Sequence, residues 1–111
     1  MIDGRVIRGV DASSPQFRKT LARVKGLARQ AEVFAALRSL LFMQLDAPPA
    51  KLHLHQLKGR TVPSAAEPGK QVAVWTMHVT LDDRYKASLT LEDGVAYLRL
   101  CDEHDLIDKH P

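Results

Sequence analysis

Residues 72–108 read VAVWTMHVTLDDRYKASLTLEDGVAYLRLCDEHDLID, and this stretch decides the fold. Apolar and polar residues alternate along it and are interrupted by two gaps rich in turn-forming residues, which predicts three consecutive antiparallel strands. The gaps are residues 82–84 (DDR) and 92–94 (EDG). Glycine after aspartate tolerates the positive φ of a tight hairpin turn, so the second gap is the strongest hairpin signal in the chain. We therefore expect a three-stranded meander that closes near Cys101.

Polar and ionisable residues gather on one side of this predicted meander. His78 and Lys86 lie on its first two strands, out of phase with the apolar residues, and His104 and Asp108 follow its last strand. Successive side chains of a strand point to opposite faces of the sheet. We therefore expect these four side chains to converge on one concave side.

The length and composition are those of one ordinary globular domain. A chain of 111 residues with 45% hydrophobic and 26% charged residues can bury a core without disulfides or metal, so we assign residues 1–111 to a single domain. Cys101 is the only cysteine and cannot form an internal disulfide, which suits a reducing compartment. No apolar run is long enough for a membrane span, and the residues after Met1 lack a signal-peptide core. These features predict a cytoplasmic protein with no membrane partner.

The charge is unevenly distributed along the chain. The formal net charge is +3, and residues 18–60 carry nine Lys and Arg residues against only Glu32 and Asp46. Most acidic residues follow residue 81. Such a chain can present a basic face to phosphates. A solvated helical surface explains the same charge run equally well.

Two helical patterns precede the meander. Ser14 and Pro15 form a typical helix start, because the serine hydroxyl can cap free amides and proline fits the first helical position. Gly26 interrupts the pattern and predicts a stop or bend. A second helix with a broad apolar stripe is predicted over residues 27–45, and prolines 48 and 49 end it. The sheet is the expected partner of the apolar faces of this helical hairpin.

The remaining segments complete the predicted fold class. Residues 4–10 favour a short strand, residues 51–57 alternate weakly and favour a strand or a bridging segment, and residues 59–70 predict a loop. We therefore predict an α+β domain with an N-terminal strand, a helical hairpin and an antiparallel sheet of three to four strands.

Four short motifs span nearly the whole chain. They are SPQFRK at residues 14–19, LKG at 57–59, the run from Val74-Trp75 to the DRYK of 83–86, and EHDLID at 103–108. They are similar to the S-x-x-F-x-K, L-K-G, W-x-x-R-V…Y-R and H-D-x-x-Y motifs of the RelE/ParE superfamily, the toxins of type II toxin–antitoxin pairs. The resemblance implies a RelE-like fold, a cognate antitoxin protein as partner, and a toxin function.

The resemblance also implies roles for individual residues. In members that cut RNA on the ribosome, cations follow the tryptophan-like position, the Y-R arginine holds the scissile phosphate, and a terminal tyrosine or a histidine assists proton transfer. This chain has His78, Lys86 and Asp108 where a cation, the arginine and the tyrosine are usual, whereas His104 keeps the family residue type. The implied function is an endoribonuclease acting on mRNA at the ribosome. The alternatives are a non-enzymatic ParE-type inhibitor that binds DNA gyrase and an inactive toxin-like remnant.

The residue types also suit RNA cleavage on chemical grounds. Attack by the 2′-hydroxyl needs a base, an acid for the leaving 5′-oxygen and a cation for the phosphorane charge. His78 and His104 can serve as acid and base in either order, with Lys86 as the cation. Asp108 can orient a histidine. The alternatives are a solvent-facing strand residue for His78 and a turn cap for His104.

Other residues are candidates for contacting RNA or a metal ion. The candidates for RNA binding are Lys58, Arg60, Arg84 and Tyr85, the tyrosine by stacking on a base. The alternative for Tyr85 is a tyrosine at the edge of the sheet. His53 and His55 share one side of an extended segment, but no further metal-binding pattern accompanies them. We therefore expect neither a metal nor another cofactor.

Overall fold

A computed structural model describes residues 6–43 and 52–111 of the chain. Its elements, in chain order, are β1 (Gly9–Asp11), α1 (Pro15–Leu21), α2 (Leu27–Arg38), β2 (His55–Pro63), β3 (Gln71–His78), β4 (Tyr85–Glu92), β5 (Val95–Glu103) and α3 (His104–Lys109). The predicted α+β class is confirmed. The predicted helix end at prolines 48 and 49, the last residues of that helix, the start of the 4–10 strand and Lys51 lie outside the described residues.

The sheet has five strands in the order β1-β5-β4-β3-β2. The predicted meander is confirmed, because β3, β4 and β5 pair antiparallel with their neighbours in sequence. The predicted number of strands, three to four, was too small. β2 extends the meander at one edge, and β1 pairs parallel with β5 at the other, so the sheet is mixed.

The second predicted turn forms as its sequence requires. Asp93 and Gly94 have φ values of 53° and 80°, and Glu92 pairs with Val95 across the turn. Positive φ at both central residues is the geometry that joins two twisted strands most tightly. The backbone carbonyl of Gly94 accepts a hydrogen bond of 2.7 Å from the Arg8 amide, which ties the turn to the segment before β1.

Three boundaries differ from the prediction. For the strand predicted over residues 4–10, the described residues form β1 at Gly9–Asp11, and α2 already ends at Arg38 with Ser39 as its C-terminal cap. The loop predicted over residues 59–70 was wrong for its first part, since β2 continues to Pro63. A bulge between Gln56 and Thr61 breaks the alternation there, and proline is tolerated at the end of an edge strand.

The core lies between one face of the sheet and the two N-terminal helices. Phe17 of α1 is fully buried and packs with Met77, Leu89 and Leu98 of the sheet. The Ser14 hydroxyl accepts a hydrogen bond from the Phe17 amide at 3.4 Å, so the predicted helix start is confirmed. The apolar stripe predicted for the second helix is narrower than expected. Within α2 only Val33 and Leu37 are buried, whereas Phe34 is exposed.

The opposite face of the sheet is also covered, although it is polar. Thr76, Lys86, Ser88 and Thr90 are all buried on this face. The cover is α3, a helix that the prediction lacked because six residues are too few to show a period. Ile107 of α3 is buried. The sheet is therefore enclosed on both sides, with an apolar face towards α1 and α2 and a polar face towards α3.

None of the helices in the described part of the chain is long and apolar enough to cross a membrane.

We predict that Gly94→Ala destabilises the domain by about 1–2 kcal/mol, the cost of a left-handed backbone for a residue with a Cβ atom. The new Cβ would also lie 2.9 Å from the Arg8 guanidinium, which must move. Urea unfolding measures the change. Gly94→Asn is the control, because asparagine tolerates this conformation better, and equal stability of Gly94→Ala and wild type would contradict the turn geometry.

We predict that Cys101 is unreactive in the folded protein. Its side chain is buried in the core, and burial together with the charge of Asp102 raises the pKa of the thiol to about 12. Because the thiolate is the reactive form, labelling by a disulfide reagent at pH 8 should be more than roughly a hundredfold slower than in urea. Rapid labelling of the folded protein would show that the strand opens readily.

Candidate active site

Three histidine rings lie in a row at one end of the polar face. The rings of His53 and His78 are stacked with centroids 4.5 Å apart, and the rings of His78 and His104 meet edge to face at 5.4 Å. Each ring comes from a different element: the segment before β2, the end of β3 and the start of α3. The structure therefore brings the predicted pair His78 and His104 into contact and adds His53 to them.

His78 is oriented by a carboxylate. Its Nδ1 lies 2.8 Å from Oδ1 of Asp83, and its side chain is 13% exposed. A carboxylate oxygen only accepts hydrogen bonds, so Nδ1 carries the proton and Nε2 is the nitrogen left for other chemistry. The hydrogen bond from His78 lowers the pKa of Asp83, which keeps this carboxylate ionised at neutral pH.

The connection between β3 and β4, residues 79–84, holds Asp83 in place. Its central residue Asp82 accepts hydrogen bonds from the Thr80 hydroxyl, the Arg29 guanidinium and the Arg84 amide. These bonds, that of Thr80 foremost, lower the pKa of Asp82 to about 2. Asp83 itself adopts a left-handed φ of 57°. A fixed loop with an unusual backbone at this position is suited to positioning a functional side chain.

His104 has a similar arrangement. Its Nδ1 lies 3.3 Å from Oδ2 of Asp108, one helical turn further along α3, and 3.5 Å from Oδ1 of Asp105. The His104 side chain is 41% exposed, so this ring is the more accessible of the pair. Both imidazoles therefore have a carboxylate near Nδ1, hydrogen-bonded in the case of His78 and at ion-pair distance in the case of His104.

Lys86 is buried beneath α3 and bound to Asp108. Its Nζ lies 2.8 Å from Oδ1 of Asp108, and its side chain is only 5% exposed. Burial raises the pKa of Asp108, but the hydrogen bond and charge of Lys86, with the charges of His104 and His55, outweigh it, and the pKa is lowered overall. The sequence predicted Lys86 as an open contact for phosphate. In the structure its charge instead fixes Asp108, because the face on which it lies is covered by α3.

The four residues predicted to bind RNA have different surroundings. Tyr85 is buried in the core with the Arg29 guanidinium 5.9 Å from its ring centre, so the prediction of base stacking is corrected. Arg84 is exposed and lines a hollow of about 420 Å³ with His104, Asp105 and Leu106. Its closest acidic partner among the described residues is Glu103, at 4.0 Å.

Arg60 and Lys58 both lie on the edge strand β2. The Arg60 guanidinium donates hydrogen bonds to the backbone carbonyls of Asp108, at 3.3 Å, and Lys109, at 2.9 Å. It therefore satisfies free carbonyls at the C-terminal end of α3. Lys58 is exposed, with no ion-pair partner in the part of the chain that the structure describes.

His53 is the functional candidate that sequence reasoning missed. Alternation grouped it with His55 as a possible metal pair, but its ring lies against His78, and His55 instead donates from Nδ1 to the His53 carbonyl at 2.8 Å. Among residues 6–43 and 52–111, no three His, Cys, Asp or Glu side chains are arranged to hold a metal ion. The signal that could have found His53 is the register of β2 on β3, in which His55 pairs with Thr76 and residue 53 consequently approaches residue 78.

Comparison with protein-family models, with curated proteins and with solved structures finds no match to this chain. The four sequence motifs and the geometry of the histidine cluster are therefore the grounds for a functional proposal.

We predict unequal effects for the two halves of the Lys86–Asp108 pair. Asp108→Asn leaves a buried ammonium without its counter-charge and should destabilise the domain by about 3 kcal/mol, the lower end of the range for buried pairs. Lys86→Met leaves a carboxylate that is 39% exposed and remains hydrated, so its cost should be below about 1 kcal/mol. Urea unfolding at pH 7 compares the two variants.

The same pair has a defined pH dependence. The pKa of Asp108 is lower in the folded state than its ordinary value of 3.8. Its contribution to stability is therefore present above that value and is lost as the pH falls through the folded-state pKa. The cost of Asp108→Asn should shrink at acid pH, and a cost independent of pH would contradict an ionised Asp108.

Proposed function

We propose that this chain is a metal-independent endoribonuclease toxin of the RelE/ParE type that cuts mRNA at the ribosome. The observation that carries the proposal is the facing pair of imidazoles, His78 and His104, which meet edge to face with ring centres 5.4 Å apart and whose Nδ1 atoms lie 2.8 and 3.3 Å from a carboxylate oxygen. Such a pair supplies the acid and the base that RNA transesterification requires. The motifs that resemble the superfamily support the same function.

The proposed reaction uses only groups of the protein and the substrate. One imidazole accepts the proton of the 2′-hydroxyl at Nε2, and the freed oxygen attacks the adjacent phosphorus. The P–O5′ bond breaks while the other imidazole donates a proton to the leaving 5′-oxygen. The products are a 2′,3′-cyclic phosphate and a 5′-hydroxyl. Either histidine can take either role, since each has a carboxylate near Nδ1.

Arg84 is the best-placed cation for the scissile phosphate. It is exposed and is the last residue of the fixed loop that holds Asp83. It lines the same hollow as His104, where it is the one Lys or Arg among the described residues, beside the acidic Glu103 and Asp105. A guanidinium binds phosphate oxygens through two parallel hydrogen bonds. Lys86 contributes indirectly, since its contact with Asp108 keeps that carboxylate against His104.

The proposed partners follow from the proposed function. The substrate is mRNA on the ribosome, which places the protein in the cytoplasm. A cognate antitoxin would inhibit it, as in other toxins of this type, by wrapping the domain as a chain that orders on binding. The alternative of a gyrase-binding ParE-type toxin needs no histidine pair, and neither does an inactive remnant, so both are separated from the nuclease by the same experiment.

We predict that the purified protein cuts mRNA and that His78→Ala and His104→Ala each lower the rate by about 10²- to 10⁴-fold. Free mRNA and mRNA in a translation reaction are compared, with primer extension to map the ends and chemical analysis for the cyclic phosphate. Because one group must be protonated and the other not, the rate should pass through a maximum with pH. His110→Ala is the matched control, since this exposed histidine lies outside the facing pair.

Three results would contradict the proposal. Cleavage that is unchanged in both His78→Ala and His104→Ala would show that the facing pair does no chemistry. Intact transcripts combined with inhibited supercoiling by DNA gyrase would favour the binding toxin. Intact transcripts with normal supercoiling would favour the inactive remnant.

A further inference from the structure

A second cavity borders the histidine cluster on the side away from His104. It has a volume of about 450 Å³ and lies between α2 and the β3–β4 connection. Its walls include His53, His78, Glu32, Ala36, Leu52 and Leu81. The cavity therefore opens directly beside one of the two imidazoles proposed to act on RNA.

The carboxylate of Glu32 is held in position at this cavity. Its Oε1 accepts a hydrogen bond of 2.8 Å from the backbone amide of Leu81. The nearby Arg29 is engaged with Asp82, also at 2.8 Å, and within the described residues Glu32 takes part in no ion pair. Glu32 thus presents acceptor oxygens in a fixed position, and its negative charge has no ion-pair partner among the described residues.

The size and charge of the cavity indicate the kind of ligand that it suits. A volume of about 450 Å³ is within the range of small-molecule sites, and apolar alanine and leucine side chains form much of the wall. Two carboxylates, of Glu32 and Asp83, line it, which disfavours a phosphate group inside. A flat, uncharged group with hydrogen-bond donors at its edge fits these conditions, and a nucleobase is such a group.

Among the four RNA bases, guanine matches a carboxylate best. An ionised carboxylate only accepts hydrogen bonds and has two oxygens side by side. Guanine presents two neighbouring donors, N1–H and the N2 amino group, on its Watson–Crick edge. Adenine and cytosine present an amino group beside an acceptor, and uracil presents one N–H between two acceptors, so each places an acceptor against the carboxylate.

We propose that this cavity binds the guanine base of a nucleotide next to the scissile phosphate and that Glu32 is the residue that selects it. The inference deepens the proposed ribonuclease function and rests on it for the position of the phosphate. The base enters the cavity between α2 and Leu81 while the phosphate remains outside, beside the contacting rings of His78 and His104.

Binding of mononucleotides tests the cavity without any cleavage. We expect 3′-GMP or 5′-GMP to bind more tightly than the corresponding AMP, CMP and UMP, and to shift the NMR signals of Ala35, Ala36 and Leu81. The comparison of 3′- with 5′-GMP shows on which side of the phosphate the base lies. Glu32→Gln should weaken GMP binding about 10- to 100-fold, because loss of the carboxylate removes the bidentate contact.

The choice of variants keeps a folding defect apart from a loss of recognition. The glutamine of Glu32→Gln retains a side-chain oxygen that can accept from the Leu81 amide, so the variant should keep the wild-type NMR spectrum outside the cavity. Glu67→Gln is the control, because Glu67 is exposed and pairs only with Lys70 in the described part of the chain.

Mapping of cut sites completes the test. Wild-type protein should cut next to guanine, and Glu32→Gln should lose this preference while it still cuts elsewhere. Cleavage with the same base preference in both proteins, or GMP binding no tighter than AMP binding, would overturn the guanine site while the nuclease stands. Glu32-dependent GMP binding by a protein that leaves RNA intact would instead overturn the nuclease and retain the guanine site.

Discussion

The buried contact between Lys86 and Asp108 is the constraint on which the site depends. Lys86 lies on a central strand of the sheet, where a lone ammonium would be costly to bury, and Asp108 on α3 supplies its counter-charge at 2.8 Å. The contact docks a helix of only six residues, which is too short to be stable by itself. Because His104 is the first residue of that helix, the ion pair also determines where its imidazole lies. Arg60 strengthens the docking from the edge strand by binding the last carbonyls of the helix.

The sequence predicts the apolar side of this fold better than the polar side. Alternation in residues 72–101 and the aspartate–glycine turn are local signals, and both strands and turn form as expected. The same alternation marks Lys86, Ser88 and Thr90 as polar and hence outward, yet all three are buried. For Lys86 and Ser88 this burial results from α3 and the following residues, where Asp108 binds Lys86 and the Pro111 carbonyl accepts a hydrogen bond from the Ser88 hydroxyl at 2.9 Å. Contacts between segments more than 20 residues apart leave no periodic trace in the sequence.

The candidate site divides in the same way. Strand phase and turn positions predict the proximity of four residues, and the structure does bring them together: His78, Lys86, His104 and Asp108. Strand register and loop geometry determine the finer contacts, which the sequence does not predict. Lys86 binds Asp108 instead of facing solvent, Asp83 binds His78, and the ring of His53 stacks on that of His78. Tyr85 is a residue for which the sequence predicted exposure and the structure shows burial. It directly follows the exposed Arg84, but the first residue of β4 points into the core.

The charges around the cluster separate two environments that an RNA substrate needs. On the His104 side, the hollow is lined by Arg84 as well as by Glu103 and Asp105, so a phosphate there meets a guanidinium, which the described wall of the other cavity lacks. On the His53 side, the cavity has the carboxylates of Glu32 and Asp83 and no cation in its wall among the described residues. His78 lies between the two and is held by Asp83 from the acidic side. A nucleotide whose base lies towards Glu32 can direct its phosphate towards Arg84, the cation that distinguishes the two sides, and this orientation leaves His78 next to the ribose and the phosphate.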